Sequence, residues 1–401
     1  MLCGKDRCPV LMRFYANTRS ASSIDTLEMA GNSPPSVFVG RFGYPKVMIG
    51  PMVPPLKENT ARMDTPEWWG NITIDELVDF RSKLVRGMHP VEVHDVENPH
   101  RTVETTRELA MAKLPTGVEA SFQRKPFGRL SLDSEVQPFG PSAPIRKVDA
   151  DNPKWDHKME KAYYDTDLLS KEAVLGLYGE GVLISRIQKA FSTGSFGVGK
   201  KRRFVPTRWS ITAVDSMIGA DMMDRTRDMP WLDHFRIYEI NKLDNRWIVL
   251  MMPTEWCYEL VEAWYPKTAW NPHHSGISIF NSYELNKGRK TYAEIGGCYY
   301  AARMAVNEEL HRLKRQAGVV ILREAHPGYT LPVGVWNVRE NVRAALRTPP
   351  FRYDSWQEVF GHIAKTMEIP LERWILNSGI LKDRLYQRRL DDYVKGGIYG
   401  R

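Results

Sequence analysis

The chain is expected to adopt an α+β fold: a mixed, mainly antiparallel sheet in its C-terminal half, packed helices and a flexible C-terminal tail. Three observations support this. Between residues 235 and 322 several short runs alternate apolar with polar positions, the period of half-buried strands. One segment instead repeats apolar residues at steps of three and four, Tyr299, Ala302, Val306, Leu310, Leu313 and Ala317, which marks one helical face. Strands in this block outnumber helices without strict alternation, which favours antiparallel pairing over a parallel βαβ arrangement.

Taken in order, the first ~35 residues read as a Cys/Pro head running into the loop Gly31-Asn32-Ser33-Pro34-Pro35,. Val37, Val39 and Lys46 to Ile49 read as short strands around the turn Gly40-Arg41-Phe42-Gly43-Tyr44-Pro45,. Thr73-Ile74-Asp75-Glu76 has the form of a capping box, and Leu77, Phe80 and Leu84 follow at helical spacing, so a helix is expected over 74–86,. A second is expected over 102–112. Five prolines between 126 and 153 suggest an extended surface connection,, and a helical region follows over 161–189. Phe235 to Asn241 and Arg246 to Met252 flank a Leu-Asp-Asn turn, a hairpin signal,. Trp256 to Trp264, Ile277 to Leu285, Thr291 to Ile295 and Val319 to Leu322 continue the strand character. These elements suggest a head over 1–35, an α+β region over 36–150, a main α+β domain over 151–380 and a tail over 381–401.

Composition narrows the function class. With 401 residues, 42% hydrophobic and 11% aromatic, the chain can bury a substantial core and is not a disordered polyelectrolyte. Its formal net charge of +8, from 56 Lys plus Arg against 48 Asp plus Glu, suits a polyanionic partner such as DNA. The longest apolar runs are strand-sized, far short of the ~20 residues of a membrane span. No apolar run follows the first residues, as a signal peptide would require. Four cysteines, Cys3, Cys8, Cys257 and Cys298, are too few for a disulfide framework and fit a reducing cytoplasm.

The C-terminal segment Gln387-Arg388-Arg389-Leu390-Asp391-Asp392-Tyr393-Val394 places an aliphatic three and an aromatic six positions after a glutamine. A single 3₁₀ turn puts those two residues on one side as an apolar plug, while the glutamine amide fills a polar pocket with donor and acceptor. That is the spacing of a peptide that docks on a sliding clamp. The pattern arises by chance on the order of once per thousand positions with ordinary residue usage. Its place near a chain end, where a partner has access, favours the functional reading over a frayed helix.

Longer strings carry a family resemblance. Ser33 to Arg41, Gly43 to Val47, Gly140 to Pro144, Val205 to Asp215, Tyr292 to Gly297, Pro332 to Trp336 and the Gln387 tail occur in order, and in these the chain resembles the archaeal Nre family of DNA-repair proteins over nearly its whole length. The resemblance implies binding to the trimeric sliding clamp (PCNA) through the tail. There are two departures. The family tail usually ends in two aromatics, whereas Val394 holds the second position here, at a cost of about 1 kcal/mol of apolar burial. Some relatives also carry a four-cysteine zinc finger near the N-terminus. Here only Cys3 and Cys8 occupy that region, short of the four ligands a structural zinc takes, so reduced thiols are expected and zinc is the lesser alternative.

The remaining candidates are weaker. Gly194 to Arg203 is a glycine-rich loop leading into Lys200, Lys201, Arg202 and Arg203, with Arg208 and Trp209 just beyond. Such a segment suits a DNA backbone with an aromatic for base stacking, or is a solvated basic turn. It matches a phosphate-binding P-loop only up to Lys200, since Lys201 replaces the hydroxyl residue,. Asp165, Asp167, Asp215, Glu255, Glu259, Glu262 and Glu294, with His273 and His274, are carboxylates and imidazoles enough for metal-assisted phosphodiester chemistry, without diagnostic spacing. Tyr292, Glu294, Arg303 and Arg323 are the candidates for a buried polar catalytic site. Two readings stay open. One is a clamp-bound, DNA-contacting recruitment protein without chemistry of its own. The other is a repair enzyme with metal-assisted nuclease or nucleotide-processing hydrolase activity.

Overall fold

The computed structural model of the chain describes residues 8, 24–128, 136–272 and 275–386. The tail from Gln387 to Val394, Cys3, and the His273-His274 pair lie outside them. By packing, the chain forms two units, 1–223 with 300–305 and 328–340, and 224–299 with 306–327 and 341–401. This division runs through the middle of the 151–380 segment that composition suggested as one domain.

The first unit is built on a six-stranded sheet of order β1-β5-β6-β4-β3-β2. Its strands are β1 (Glu28–Ser33), β2 (Val37–Val39), β3 (Lys46–Val53), β4 (Val85–Glu92), β5 (Thr116–Phe122) and β6 (Ser142–Ala150). Only β4 and β6 run parallel; the other neighbours are antiparallel. Helix α1 (Ile74–Lys83) starts on the expected capping box, with the Glu76 amide donating to Thr73 Oγ1 at 3.2 Å and the Thr73 amide to Glu76 Oε2 at 2.8 Å. It stops at Lys83, not 86, because Val85 already pairs with Val53 in the sheet. Gly50 has no room for a side chain, since a Cβ there would lie 1.9 Å from the Gly87 carbonyl oxygen of β4. Helices α2 (Arg101–Met111), α3 (His157–Tyr164), α4 (Ser170–Gly179), α5 (Ile184–Ser192) and α6 (Thr207–Thr226) follow. Met159, Val174, Ile187 and Val214 share one apolar cluster.

Two expectations for this half need correction. Gly31 to Ser33 is not loop but the end of β1, paired along its length with β5. Within the proline-rich stretch, Ser142–Ala150 does not run over the surface: it forms β6, which occupies a central place between β5 and β4. Prolines are tolerated there because they need only accept, as when the Arg86 amide donates to Pro141 O at 2.9 Å and that of Gln123 to Pro144 O at 2.9 Å.

The second unit carries a six-stranded sheet of order β10-β9-β11-β8-β7-β12. Its strands are β7 (Phe235–Lys242), β8 (Asn245–Met252), β9 (Cys257–Trp264), β10 (Ser278–Glu284), β11 (Gly318–Ala325) and β12 (Phe351–Tyr353). The β7–β8 hairpin turns through Leu243 and Asp244, both at positive φ (51° and 54°), as a two-residue turn matched to strand twist requires. β9 and β11 pair in parallel and are buried throughout. Helix α7 (Gly297–Leu313) forms where the helical spacing placed it and ends at Lys314 in the left-handed conformation, so Ala317 lies beyond it. Helices α8 (Trp336–Leu346), α9 (Trp356–Thr366), α10 (Leu371–Asn377) and α11 (Gly379–Tyr386) complete the described chain, and Val359, Ile363, Trp374 and Leu381 cover the apolar cluster around Ile248 and Val320. Residues 291–295 do not form a strand. The Arg289 guanidinium takes the carbonyls of Tyr283 (2.8 Å), Thr291 (3.4 Å) and Tyr292 (3.2 Å) and curls the chain around itself. Among the described residues no helix is long and apolar enough to cross a membrane.

Candidate nucleic-acid interface

The Gly194 loop closes on one of its own cations. Arg202 Nε donates to Gly194 O at 2.6 Å and Nη2 to Ser195 O at 3.1 Å, with the guanidinium 4.6 Å from the Tyr163 ring centroid. Burial holds its pKa below the usual arginine value. Gly194 sits at φ 65°, where glycine avoids the Cβ penalty. Lys200, Lys201 and Arg203 stay exposed. Only one 3₁₀ turn, Gly199–Lys201, follows the glycines, and no helix starts there as a P-loop needs. Of the four consecutive cations, one closes the loop and three face solvent.

Six residues after Arg203, the first turn of α6 brings Trp209 to the β2–β3 turn. Tyr44 and Trp209 pack with ring centroids 5.1 Å apart, and each is over 40% exposed. Phe42 is 82% exposed, with the Arg41 guanidinium 4.9 Å from its centroid. The Val39 amide donates to Thr207 Oγ1 at 2.9 Å and ties the two segments together. Aromatic faces next to cations are what unpaired bases and their phosphates bind.

Behind this face lies a charged centre. Asp64 is fully buried and accepts from Ser36 Oγ, from Arg81 Nη1 and, at 2.9 Å, from Lys189 Nζ. Burial opposes its charge, but the two cations and the serine outweigh that and hold its pKa below the usual carboxylate value. Next to it, Arg86 on β4 packs against both Phe38 and Phe139, 4.9 Å from each centroid, the two rings meeting edge to face 4.8 Å apart. Burial first, then the charge of Arg81, bring its pKa down to about 10.

The other carboxylates go to structural work. Asp215 accepts from Arg339 Nη1 through both oxygens at 2.9 Å and from Gln188 Nε2 at 2.9 Å. Glu259 accepts from Ser378 Oγ and the Gly379 and Ile380 amides, at 2.5, 2.8 and 2.9 Å, at the start of α11. Arg323 donates to Glu262 (2.6 Å) and Asn245 (2.9 Å) between the rings of Trp247 and Trp264. Glu294 accepts from Ser282 Oγ at 2.7 Å and from Arg289 at 2.8 Å, which with its own backbone amide lower its pKa to about 2. Tyr292 shares that loop and is exposed. Arg303 lies in the first unit, 5.4 Å from the Tyr300 centroid. Of the four catalytic candidates only Tyr292 and Glu294 are gathered, around Arg289. Asp165, Asp167 and Glu255 are exposed or half-buried, and among the described residues no three His, Cys, Asp or Glu side chains could hold a metal ion. Burial pushes the Cys257 thiol up to about 11.

A family model described as Archaeal Nre, N-terminal, matches residues 2–271, and one described as Archaeal Nre, C-terminal, matches residues 284–393. The chain belongs to the archaeal Nre family. It is 37% identical over 395 residues to DNA repair protein NreB of Archaeoglobus fulgidus, covering 98% of both chains. DNA repair protein NreA of the same organism is 35% identical over 92% of both, and NreA of Haloferax volcanii 34% identical over 79% of this chain and 77% of its own. No solved structure matches significantly.

In this Nre chain, the strings Ser33 to Arg41, Gly43 to Val47 and Val205 to Asp215 meet at the aromatic face. Sequence reasoning marked Lys200, Lys201, Arg203, Arg208 and Trp209 but missed Phe38, Arg41, Phe42, Tyr44, Arg86 and Phe139. One signal was available: in Val85-Arg86-Gly87-Met88, a cation alternates with positions that β pairing buries. Residues 387–393 of the segment expected to dock on a clamp fall within the C-terminal family match, and the segment lies outside the described residues.

Proposed function

We propose that this Nre chain serves DNA repair, docked on the sliding clamp PCNA through Gln387 to Val394 and contacting DNA through the face around Trp209. Its relatives carry the name of DNA repair proteins. One observation carries the DNA contact: Tyr44 and Trp209 pack together beside Arg41 and Phe42, with their rings open to solvent. Exposed aromatics next to cations suit unpaired DNA, where bases are free to stack. Lys200, Lys201 and Arg203 extend the contact along the backbone. The clamp supplies location, and the face supplies grip on the strand it encircles.

The test has two arms. In calorimetry with the cognate clamp, the full chain binds and a version ending at residue 385 does not; equal binding by both sinks the tail as docking element. In fluorescence anisotropy with single-stranded oligonucleotides, Trp209→Ala weakens binding by about 1–3 kcal/mol. Lys200→Glu with Lys201→Glu flattens the salt dependence by roughly one to two phosphate contacts. DNA affinity unchanged in both variants refutes the face.

A further inference from the structure

We propose that the cleft beside this face is a receptor for a phosphomonoester, and that the group it takes is the terminal phosphate of a DNA strand. It deepens the DNA contact proposed above. The cleft measures about 200 Å³ and is lined by Phe38, Arg41, Arg86, Phe139, Thr207 and Arg208 among others. Among the described residues, three arginines and no carboxylate line it.

Arg86 is the decisive group. Alternation along β4 buries Val85 in the core and turns Arg86 to the opposite face,. Phe38 and Phe139, themselves edge to face, both pack against its guanidinium. Its Nε is buried and has no hydrogen-bond acceptor. No described carboxylate pairs with it, and the nearest charge acting on it is another cation, Arg81, already committed to Asp64. A half-buried cation with no carboxylate partner among the described residues is costly to the fold,. An anion entering the cleft supplies such a partner.

The chemistry favours phosphate over carboxylate. The guanidinium fork pairs bidentately with phosphate oxygens, and the positive field of the arginines lining the cleft favours a dianion over a monoanion,. The N-terminus of α6, opening at Thr207 and Arg208, adds amide dipoles of the same sense. Size favours a terminal group. Small-molecule sites usually enclose about 300–1,000 Å³, so the smaller cleft here admits a phosphate and its sugar. An internal phosphodiester would need room for nucleotides on both sides. The attached base then emerges at the rim, where Phe42 and the Tyr44–Trp209 pair stand.

The test measures anisotropy of one labelled single-stranded oligonucleotide with a 5′-phosphate, a 3′-phosphate or neither, bound by the full chain. One phosphorylated form should bind about tenfold tighter or better than the unphosphorylated strand, the scale of a hydrogen bond to a charged group. That preference should vanish in Arg86→Gln while binding of the unphosphorylated strand stays unchanged, and it should shrink in Arg41→Gln, which weakens both strands because Arg41 also belongs to the DNA-contacting face. Binding of all three strands without preference overturns the receptor and leaves the DNA contact standing. If no strand binds, titration with thymidine monophosphate against thymidine separates the cases. Nucleotide bound by the wild type but not by Arg86→Gln upholds the receptor with a free nucleotide as its source and sinks the DNA contact. No binding of either overturns both.

Discussion

Asp64 holds together the ground beneath the candidate interface, and replacing it by asparagine measures how much. The carboxylate is 3% exposed and shared by Arg81, 1% exposed, and Lys189. Arg81 Nε also donates to Pro138 O at 2.8 Å, and Lys189 Nζ to the Asp64 carbonyl at 2.8 Å, so neither cation can swing out to water without breaking further bonds. Removing one partner of a buried ion pair costs about 3–5 kcal/mol, because the remaining charge stays desolvated. The substitution strands two cations, while the asparagine side chain keeps one acceptor oxygen, so a loss of about 4 kcal/mol is expected. For a unit of this size that lowers the melting temperature by roughly 8–16 °C. Urea unfolding followed by tryptophan fluorescence, to which Trp69, packed against Trp336 at 4.6 Å, contributes, measures it. Adding Arg81→Met to Asp64→Asn removes one stranded charge and should recover part of the loss. The pH dependence has a definite sign. The folded-state pKa lies below the usual value and an unfolded aspartate titrates near about 3.9. The contribution is therefore complete above about pH 4. It fades as the pH falls through the folded pKa, and the variant should lack that acid-side loss. A loss under about 1 kcal/mol, or no recovery in the double variant, would refute the shared-carboxylate account.

Two further outcomes follow from groups described above. Arg86→Met should raise stability: burial holds the pKa near 10 against an ordinary 12.5, a cost of about 3 kcal/mol, partly offset by two cation–π contacts of about 0.5–1 kcal/mol each at this half-buried position,. Calorimetry should show a melting temperature a few degrees higher, and a drop would mean that the arginine has a partner that stabilises it. Glu259→Gln should loosen α11, because one of the two acceptor oxygens becomes a donor that faces either the Gly379 amide or the Ile380 amide and Ser378 Oγ. A loss of about 2 kcal/mol is expected, seen as faster hydrogen exchange at residues 382–384, and unchanged exchange there would sink the capping role.

Much of the fold was legible because its signals are short-ranged. The Thr73–Glu76 capping box, the β7–β8 hairpin and the 3.6-residue period of α7 each depend on residues a few positions apart, and all three form. Errors arose where a distant partner overrode local composition. Gly31 to Ser33 looks like loop until β5 supplies its ladder. Residues 126–153 look like surface until β6 is seen between β4 and β5. Thr291 to Ile295 looks like strand until Arg289 takes its carbonyls.

The candidate interface divides in the same way. Sequence alone determined the family, through strings that survive as strings, and the net positive charge, which is a sum over residues and needs no geometry. It could not sort Arg202 from Arg203, identical neighbours of which one turns inward only because the Gly194 and Ser195 carbonyls wait for it. Nor could it assemble a cleft from Phe38, Arg86, Phe139 and Arg208. Those residues are far apart in the chain and meet through the β2–β3–β4 register, the parallel β4–β6 pair and the Val39–Thr207 bond. Whether a cation is paired or left waiting is a property of everything packed around it, and only the tertiary structure decided that for Arg86.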